Sequence, residues 1–220
     1  MNLPDDEILT DIGLVNDTGA QNAPGSVLLI GCGALAREIL AVKSANSWDH
    51  MTLRCLPAKL HLYPEQITPA VRDAIRKGRN DGFETIYILY ADCGTGGHLD
   101  ALCKEEGVER IAGPHCYSFF DGNEAFALRA DDEMCAFYLT DFLVKQFDAF
   151  VWKPMGLDRH PELRDMYFGN YEKLIYLAQT KDSKLDDKAK ECADRLGLTF
   201  ERRATGYGDL SRAMELLADI

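Results

Sequence analysis

Long apolar runs and an excess of basic side chains are both missing from this sequence. No stretch approaches the roughly 18 uninterrupted apolar residues that a membrane-spanning helix needs. The 24 Lys and Arg side chains are outnumbered by 36 Asp and Glu, which gives a formal charge of −12. That charge disfavours binding to nucleic-acid phosphates and to anionic membrane surfaces. We therefore expect neither nucleic acid nor a membrane as a partner.

Several common site motifs are also missing. The sequence contains no C-x-x-C pair, no G-x-x-x-x-G-K-[ST] phosphate loop and no G-x-S-x-G nucleophile turn. These absences argue against a zinc ribbon, a ferredoxin, a P-loop nucleotide hydrolase and an α/β-hydrolase. Seven cysteines are present, and the N-terminus lacks the pattern of a signal peptide. We expect a cytoplasmic protein whose reduced thiols serve metal or redox chemistry more readily than disulfides.

The first 24 residues differ in composition from the rest of the chain. They carry five acidic side chains and no Lys or Arg, and residues 16–25 are rich in turn formers. We predict a flexible acidic arm over residues 1–24. Residues 25–220 are predicted to form a single α/β domain, with lobes at 25–130 and 131–220 as an alternative arrangement.

Short apolar segments alternate with helical patterns after residue 25. This alternation is typical of a mainly parallel, open sheet with helices on both faces, which is a three-layer α/β fold. The predicted strands lie near residues 27–30, 51–55, 85–90, 110–112, 134–139, 149–153, 174–178 and 199–203.

Thiol and imidazole side chains follow the first four predicted strands. Cys32, His61, Cys93 and Cys116 come from four different loops. Because the carboxyl ends of parallel strands meet at one edge of a sheet, these side chains are expected to converge there. Three thiolates and one imidazole form a tetrahedral zinc set, and thiolates also hold iron–sulfur clusters. We predict a zinc site, with an iron–sulfur cluster as the alternative and His115 as the alternative fourth ligand.

A glycine-rich run follows one of these cysteines. Gly94, Thr95, Gly96 and Gly97 precede a predicted helix, an arrangement whose backbone amides can bind an anion. We predict that this run binds a small-molecule ligand or cofactor. The remaining cysteines fall within predicted strands or helices and are interpreted as core residues; they are Cys55, Cys103, Cys135 and Cys192.

The first strand also leads into a rival motif. Residues 31–36 read GCGALA and match the dinucleotide pattern G-x-G-x-x-A. The acidic residue that would hold the ribose at the end of the second strand is missing, although Arg54 could accept a 2′-phosphate. An NADP-dependent oxidoreductase that uses this loop is therefore an alternative function.

Five segments together resemble the domain of unknown function 1638 family over about residues 26–218. They are Gly31–Ile39, Leu56–His61, Asp92–Gly97, Gly113–Tyr117 and Thr140–Leu143. The resemblance supplies no reaction, because the activity of that family is unsettled. It implies an association with corrinoid proteins and methyltransferases of one-carbon metabolism.

Together these features predict a metal-binding cytoplasmic protein with a catalytic or accessory role in corrinoid-linked methyl transfer. Zinc held by thiolates can activate an incoming thiol as the methyl acceptor. A corrinoid protein or a methyltransferase is then the expected partner. A metal-handling or cofactor-handling protein without catalysis is a further alternative.

Overall fold

The computed structural model describes residues 4–17, 19 and 25–218. The chain divides into two compact units, a first unit of residues 1–116 with 209–220 and a second unit of residues 117–208. Both units combine helices with a mostly parallel sheet, which confirms the predicted α/β fold class. The division lies near residue 116 and not at residue 130, and the number of independent domains stays a prediction.

The sheet of the first unit has five strands in the order β1-β3-β2-β4-β5. All its strand pairs are parallel except the antiparallel pair of β1 with β3. Every residue of the central strand β2 is buried, as its continuous apolar sequence predicts. The strands are β1 (Leu14–Asn16), β2 (Val27–Cys32), β3 (Met51–Leu56), β4 (Thr85–Leu89) and β5 (Glu109–Arg110).

Helices connect these strands, and α3 shows why they pack on the sheet. Ile67, Val71 and Ile75 recur every four residues and are fully buried. Gly78 continues the stripe, and a Cβ there would lie 2.3 Å from the Leu28 Cδ2 atom of β2. The α-helices are α1 (Asp6–Asp11), α2 (Ala36–Asn46), α3 (Ile67–Asn80), α4 (His98–Glu106) and α10 (Gly208–Glu215); 3-10 helices span Gly33–Leu35, Ala58–Leu62 and Pro64–Gln66.

Part of the predicted flexible arm has regular structure. The helix α1 is capped by the Asp5 side chain, and its Leu9 side chain is fully buried. The strand β1 pairs with β3, and Arg37 forms an ion pair with Asp6 at 3.0 Å. Residues 4–17 thus contain a helix and a strand that composition alone does not predict, and the flexibility of the arm stays a prediction. Residues 1–3, 18 and 20–24 of the arm lie outside the described residues.

The second unit contains a three-stranded parallel sheet in the order β6-β7-β8. Its strands are β6 (Ala136–Thr140), β7 (Lys173–Ala178) and β8 (Thr199–Ala204). The helix α5 (Cys116–Asp121) begins at the last residue of the first unit's main segment. The further helices of the second unit are α6 (Asn123–Leu128), α7 (Asp141–Lys145), α8 (Arg164–Phe168) and α9 (Ser183–Leu196), and a 3-10 helix spans Pro161–Leu163. No helix in the described part of the chain is long and apolar enough to cross a membrane.

The predicted strand at residues 149–153 is wrong. A π-helical turn spans Asp148–Trp152 instead. Its Phe150, Val151 and Trp152 side chains all pack against the core of the second unit. A short apolar run that is buried by several neighbours does not distinguish a strand from a helix by its pattern.

A buried carboxylate fixes the start of α7. Asp141 is 2% exposed, and its Oδ1 accepts hydrogen bonds from the Tyr176 hydroxyl at 2.7 Å and from the Gln179 amide at 3.0 Å. Its Oδ2 accepts from the amide and hydroxyl of Thr180 at 3.1 and 2.5 Å. Burial and the hydrogen bond to Asp141 raise the pKa of Tyr176 well above its ordinary value. This carboxylate ties the ends of β6 and β7 together.

A second group of charges surrounds Glu133 in the same unit. Arg203 donates to Glu133 Oε1 at 2.6 Å, and the Tyr138 hydroxyl donates to its Oε2. Burial opposes ionisation of Glu133, but these hydrogen bonds and the charges of Arg203 and Arg129 bring its pKa below the ordinary value. The carboxylate therefore stays ionised at neutral pH.

Candidate metal centre

The topology of the first unit brings four predicted ligands to one edge of its sheet. Cys32 is the last residue of β2, and His61 lies in the 3-10 helix that follows β3. Cys93 follows β4, and Cys116 is the first residue of α5, beyond β5. Because β2, β3, β4 and β5 run parallel, the loops after them lie at the same edge.

Three of these side chains form a compact donor group. One ring nitrogen of His61 and the Sγ atoms of Cys93 and Cys116 all lie within 4.8 Å of one another. The two Sγ atoms are 3.2 Å apart. Two sulfurs bound to one zinc ion at about 2.3 Å would lie about 3.8 Å apart at the tetrahedral angle. The group therefore fits a single ion after a small adjustment of the side chains.

Cys32 adjoins this group through the imidazole. Its Sγ lies 3.5 Å from His61 Nδ1 and accepts a hydrogen bond from the Ala34 amide at 3.4 Å. A sulfur and a nitrogen bound to one zinc ion would be about 3.6 Å apart. Cys32 is fully buried, whereas His61 is partly exposed. Cys32, the fourth predicted ligand, therefore contacts His61 but is not one of the three residues whose donor atoms all lie within 4.8 Å of one another.

Backbone hydrogen bonds hold the two cysteine loops against each other. The Asp92 amide donates to the Gly113 carbonyl, and the Cys93 amide donates to the Pro114 carbonyl, both at 3.0 Å. Cys93 itself adopts a left-handed backbone conformation with φ of +47°. That conformation costs a residue with a Cβ about 1–2 kcal/mol. The loop is therefore held in a strained shape that directs the sulfur of Cys93 at that of Cys116.

The electrostatics of the group favour one thiolate beside a charged imidazole. The hydrogen bond from Cys116 outweighs burial and, together with His61, lowers the pKa of Cys93 to about 4. The same hydrogen bond and burial raise the pKa of Cys116. Burial alone would lower the pKa of His61, but the charges of Cys32 and Cys93 and the hydrogen bonds to them hold it well above its ordinary value. A thiolate that is already formed is the species that binds a metal ion.

Tyr90 also belongs to the site, although it lies in none of the ligand motifs. It follows β4 directly and is fully buried. Its ring stacks on that of His61 with centroids 6.2 Å apart. Burial and the neighbouring Cys32 raise the pKa of its phenol. Its position at the end of a predicted strand is a sequence signal for a pocket-lining residue, although an aromatic residue there is usually a core residue.

The glycine-rich run donates hydrogen bonds to a carboxylate of its own loop. The amides of Gly96 and Gly97 donate to the Asp92 carboxylate at 3.2 and 2.8 Å, and the Thr95 hydroxyl donates to it at 2.7 Å. The Gly97 amide is the largest of the influences that lower the pKa of Asp92. An external anion would compete with this carboxylate for the amides. Ligand binding by Gly94, Thr95, Gly96 and Gly97 stays a prediction.

The same run borders an open cleft of about 720 Å³. The cleft lies between the start of α3 and the loop that follows Cys93. Its lining is formed by Pro64, Glu65, Thr68, Pro69, Gly94, Thr95, Gly96 and His98.

The remaining histidine and cysteine candidates are not members of the donor group. His115 is exposed and is not in the group that the described residues form. Cys55, Cys103 and Cys192 are buried, in agreement with their interpretation as core residues. Cys135 is exposed, so its interpretation as a core residue is wrong. It precedes β6 by one residue and therefore lies outside the strand that was predicted to bury it.

The dinucleotide-like motif has a packing explanation. A Cβ at Gly33 would lie 2.3 Å from the Leu9 carbonyl oxygen. The backbone that comes close to this glycine therefore belongs to the chain's own helix α1, and a bound nucleotide is not needed to explain the glycine. Arg54, which was expected to bind a 2′-phosphate, forms an ion pair with Asp81 at 2.6 Å and lies over the ring of Phe83. These contacts account for both features without a nucleotide.

A protein family matches most of the chain. The family described as protein of unknown function (DUF1638) matches residues 55–214, well over half of the sequence. The chain belongs to this family. The DUF1638 match includes His61, Cys93 and Cys116, whereas Cys32 precedes it. No curated protein and no solved structure matches the chain.

Proposed function

We propose that this DUF1638 protein binds a zinc ion through His61, Cys93 and Cys116, with Cys32 as the fourth ligand. The observation that carries the proposal is the convergence of three donor atoms within 4.8 Å of one another from three separate segments of the chain. The contact of 3.5 Å between Cys32 and His61 supports the fourth position. Since this contact involves only one member of the group, we propose that Cys32 is the ligand that leaves when a substrate binds.

Zinc suits this donor set better than an iron–sulfur cluster. A mixed set of thiolates and one imidazole is a common zinc environment, whereas most iron–sulfur clusters are held by four thiolates. Cys93, already a thiolate at neutral pH, would bind the ion without prior loss of a proton. Cys116 and the charged His61 imidazole would each release a proton on binding, so affinity should rise with pH.

The chemistry that we propose for the centre is the activation of a thiol as a methyl acceptor. Bound zinc would lower the pKa of a substrate thiol and hold it as a nucleophile. The cleft beside Cys93 offers a place for that substrate, with Glu65 and His98 as polar contacts. A corrinoid protein or a methyltransferase is the proposed partner, and a catalytic or accessory role in one-carbon metabolism follows.

Metal handling without catalysis is the second candidate. Its support is the partial exposure of His61, because a ligand at the surface permits exchange of the ion with a partner. The two functions differ in the expected fate of the ion. A catalytic centre retains zinc during turnover, whereas a handling protein transfers it to an acceptor.

Elemental analysis of anaerobically purified protein tests the metal site. Wild type and the Cys103→Ser variant should contain equimolar zinc, since Cys103 is a buried cysteine of the same unit that lies outside the donor group. The Cys93→Ser variant should lose most of it. Equal zinc contents in the two variants would show that Cys93 is not a ligand. A brown protein that contains iron would show that the site holds an iron–sulfur cluster and not zinc.

A methyl-transfer assay tests the proposed chemistry separately. Zinc-loaded protein is incubated with methylcobalamin and a small thiol, and loss of the cobalt–carbon bond is followed by absorbance. We expect faster demethylation than with the Cys93→Ser variant. If the protein binds zinc but does not accelerate demethylation, the metal site stands and the proposed reaction with free methylcobalamin is refuted.

A further inference from the structure

We propose that Cys93 and Cys116 are a redox-active pair that oxidation joins in a disulfide. The predicted consequence is loss of two ligands from the metal centre, and this consequence rests on the proposed zinc site. Formation of the disulfide itself does not depend on zinc. The metal centre would thus be dismantled reversibly by peroxide and restored by a dithiol.

The distance between the sulfurs carries the proposal. The Sγ atoms are 3.2 Å apart and must close by about 1.2 Å to reach a disulfide bond length of about 2.05 Å. Rotation of the two side chains accounts for a movement of this size. The backbone hydrogen bonds from Asp92 and Cys93 to Gly113 and Pro114 keep the loops in place during the change.

Access to the pair is limited but present. Cys93 and Cys116 are each 8% exposed, whereas Cys32 is fully buried. The residue after Cys93, Gly94, lines the open cleft. The proposed route for a small oxidant such as hydrogen peroxide runs from this cleft past Gly94 to Cys93.

The reaction balances with hydrogen peroxide as the oxidant. The Cys93 thiolate attacks one peroxide oxygen, the O–O bond breaks, and the departing hydroxide takes up a proton to become water. The Cys116 sulfur then attacks the sulfenic sulfur, the S–O bond breaks, and the hydroxide leaves as water with the Cys116 proton. Two thiols and one peroxide give one disulfide and two waters. The disulfide sulfurs no longer carry the negative charge that binds zinc.

Mass spectrometry of the full-length protein tests the pair directly. Metal-free protein is treated with equimolar hydrogen peroxide, the remaining thiols are alkylated, and peptides are analysed without reduction. We expect a cross-linked peptide pair that contains Cys93 and Cys116 and is lighter by two hydrogens. The proposal is overturned if both cysteines are still alkylated when the exposed Cys135 has been oxidised.

Matched variants identify the partner in the reaction. Cys103→Ser should form the cross-link at the wild-type rate, because Cys103 is buried elsewhere in the unit. Cys116→Ser should stop at a sulfenic acid on Cys93 that dimedone traps. If wild type gives as much dimedone adduct on Cys93 as Cys116→Ser does, Cys116 does not react with the sulfenic acid, and the proposed pair is refuted.

Zinc-loaded protein separates this inference from the proposed function. Peroxide should release about one zinc per disulfide formed, measured with a chromogenic chelator. A disulfide in protein that never binds zinc refutes the zinc site and leaves the redox pair intact. Zinc that stays bound under peroxide, without a cross-link, refutes the redox pair and leaves the zinc site intact.

Discussion

Replacement of Asp141 by alanine is expected to destabilise the second unit strongly. The buried carboxylate accepts four hydrogen bonds, from Tyr176, from Gln179 and twice from Thr180. Thr180 is exposed, so water can replace the acceptor for both of its donors. Tyr176 and Gln179 are buried and would lose their partner without replacement.

The magnitude follows from the two donors that stay buried. Each unsatisfied buried donor costs about 1–3 kcal/mol, so Asp141→Ala should cost about 2–6 kcal/mol in unfolding free energy. Tyr176→Phe removes one of these donors together with its hydrogen bond and should cost only about 0.5–1.5 kcal/mol. In the Asp141→Ala background the second change should be nearly neutral or stabilising, because it removes an orphaned hydroxyl.

These free-energy differences are measured by urea unfolding of four proteins: wild type, the two single variants and the double variant. Intrinsic fluorescence and circular dichroism should be followed together, so that separate unfolding of the two units is detected. A cost below about 1 kcal/mol for Asp141→Ala would contradict the accounting of buried donors. Additive effects of the two changes would show that the Tyr176–Asp141 hydrogen bond contributes no coupling.

Three further changes test the metal centre, the charge cluster and the dinucleotide-like loop. Free zinc at 100 times its dissociation constant should stabilise the protein by about 2.7 kcal/mol. This should raise the Tm by about 5–11 °C in thermal scans; Cys103→Ser should retain the rise and Cys93→Ser should lose it. Because the folded pKa of Glu133 lies below its ordinary 4.5, its stabilisation is present above pH 4.5 and is lost as pH falls through the folded pKa. Urea midpoints of Glu133→Gln should therefore fall less than those of wild type on acidification, and parallel curves would contradict this sign. Gly33→Ala should cost about 1–3 kcal/mol through the clash with the Leu9 carbonyl, and a stable variant that loses NADPH binding would revive the nucleotide interpretation.

The sequence was enough to predict that the ligands lie at one edge of the sheet, because a parallel sheet places the ends of its strands at the same edge. Cys32 and Cys93 follow strands that read clearly as buried, and the carboxyl ends of parallel strands share one edge. The distances within the group could not be derived. They depend on the 3-10 helix Ala58–Leu62 that carries His61 and on the backbone conformation of Cys93, neither of which has a distinctive pattern.

The N-terminal segment shows where sequence patterns fail. Asp5 caps α1, and Leu9 is its single buried residue, so the segment has too few apolar positions to display a period. Its order comes from contacts such as that of Arg37 with Asp6 and from the pairing of β1 with β3. These contacts join residues that are about 30 or more positions apart, which local propensity does not encode.

The backbone of Cys93 favours a functional explanation of the cluster over one based on packing. Glycine would adopt its φ of +47° without strain, and glycines already occupy positions 94, 96 and 97. A loop shaped for stability alone would carry glycine at position 93 too, whereas a loop that needs a sulfur there retains the strain. Serine keeps the Cβ and therefore keeps the strain. A loss of zinc in Cys93→Ser would thus report on the missing sulfur and not on a relaxed backbone.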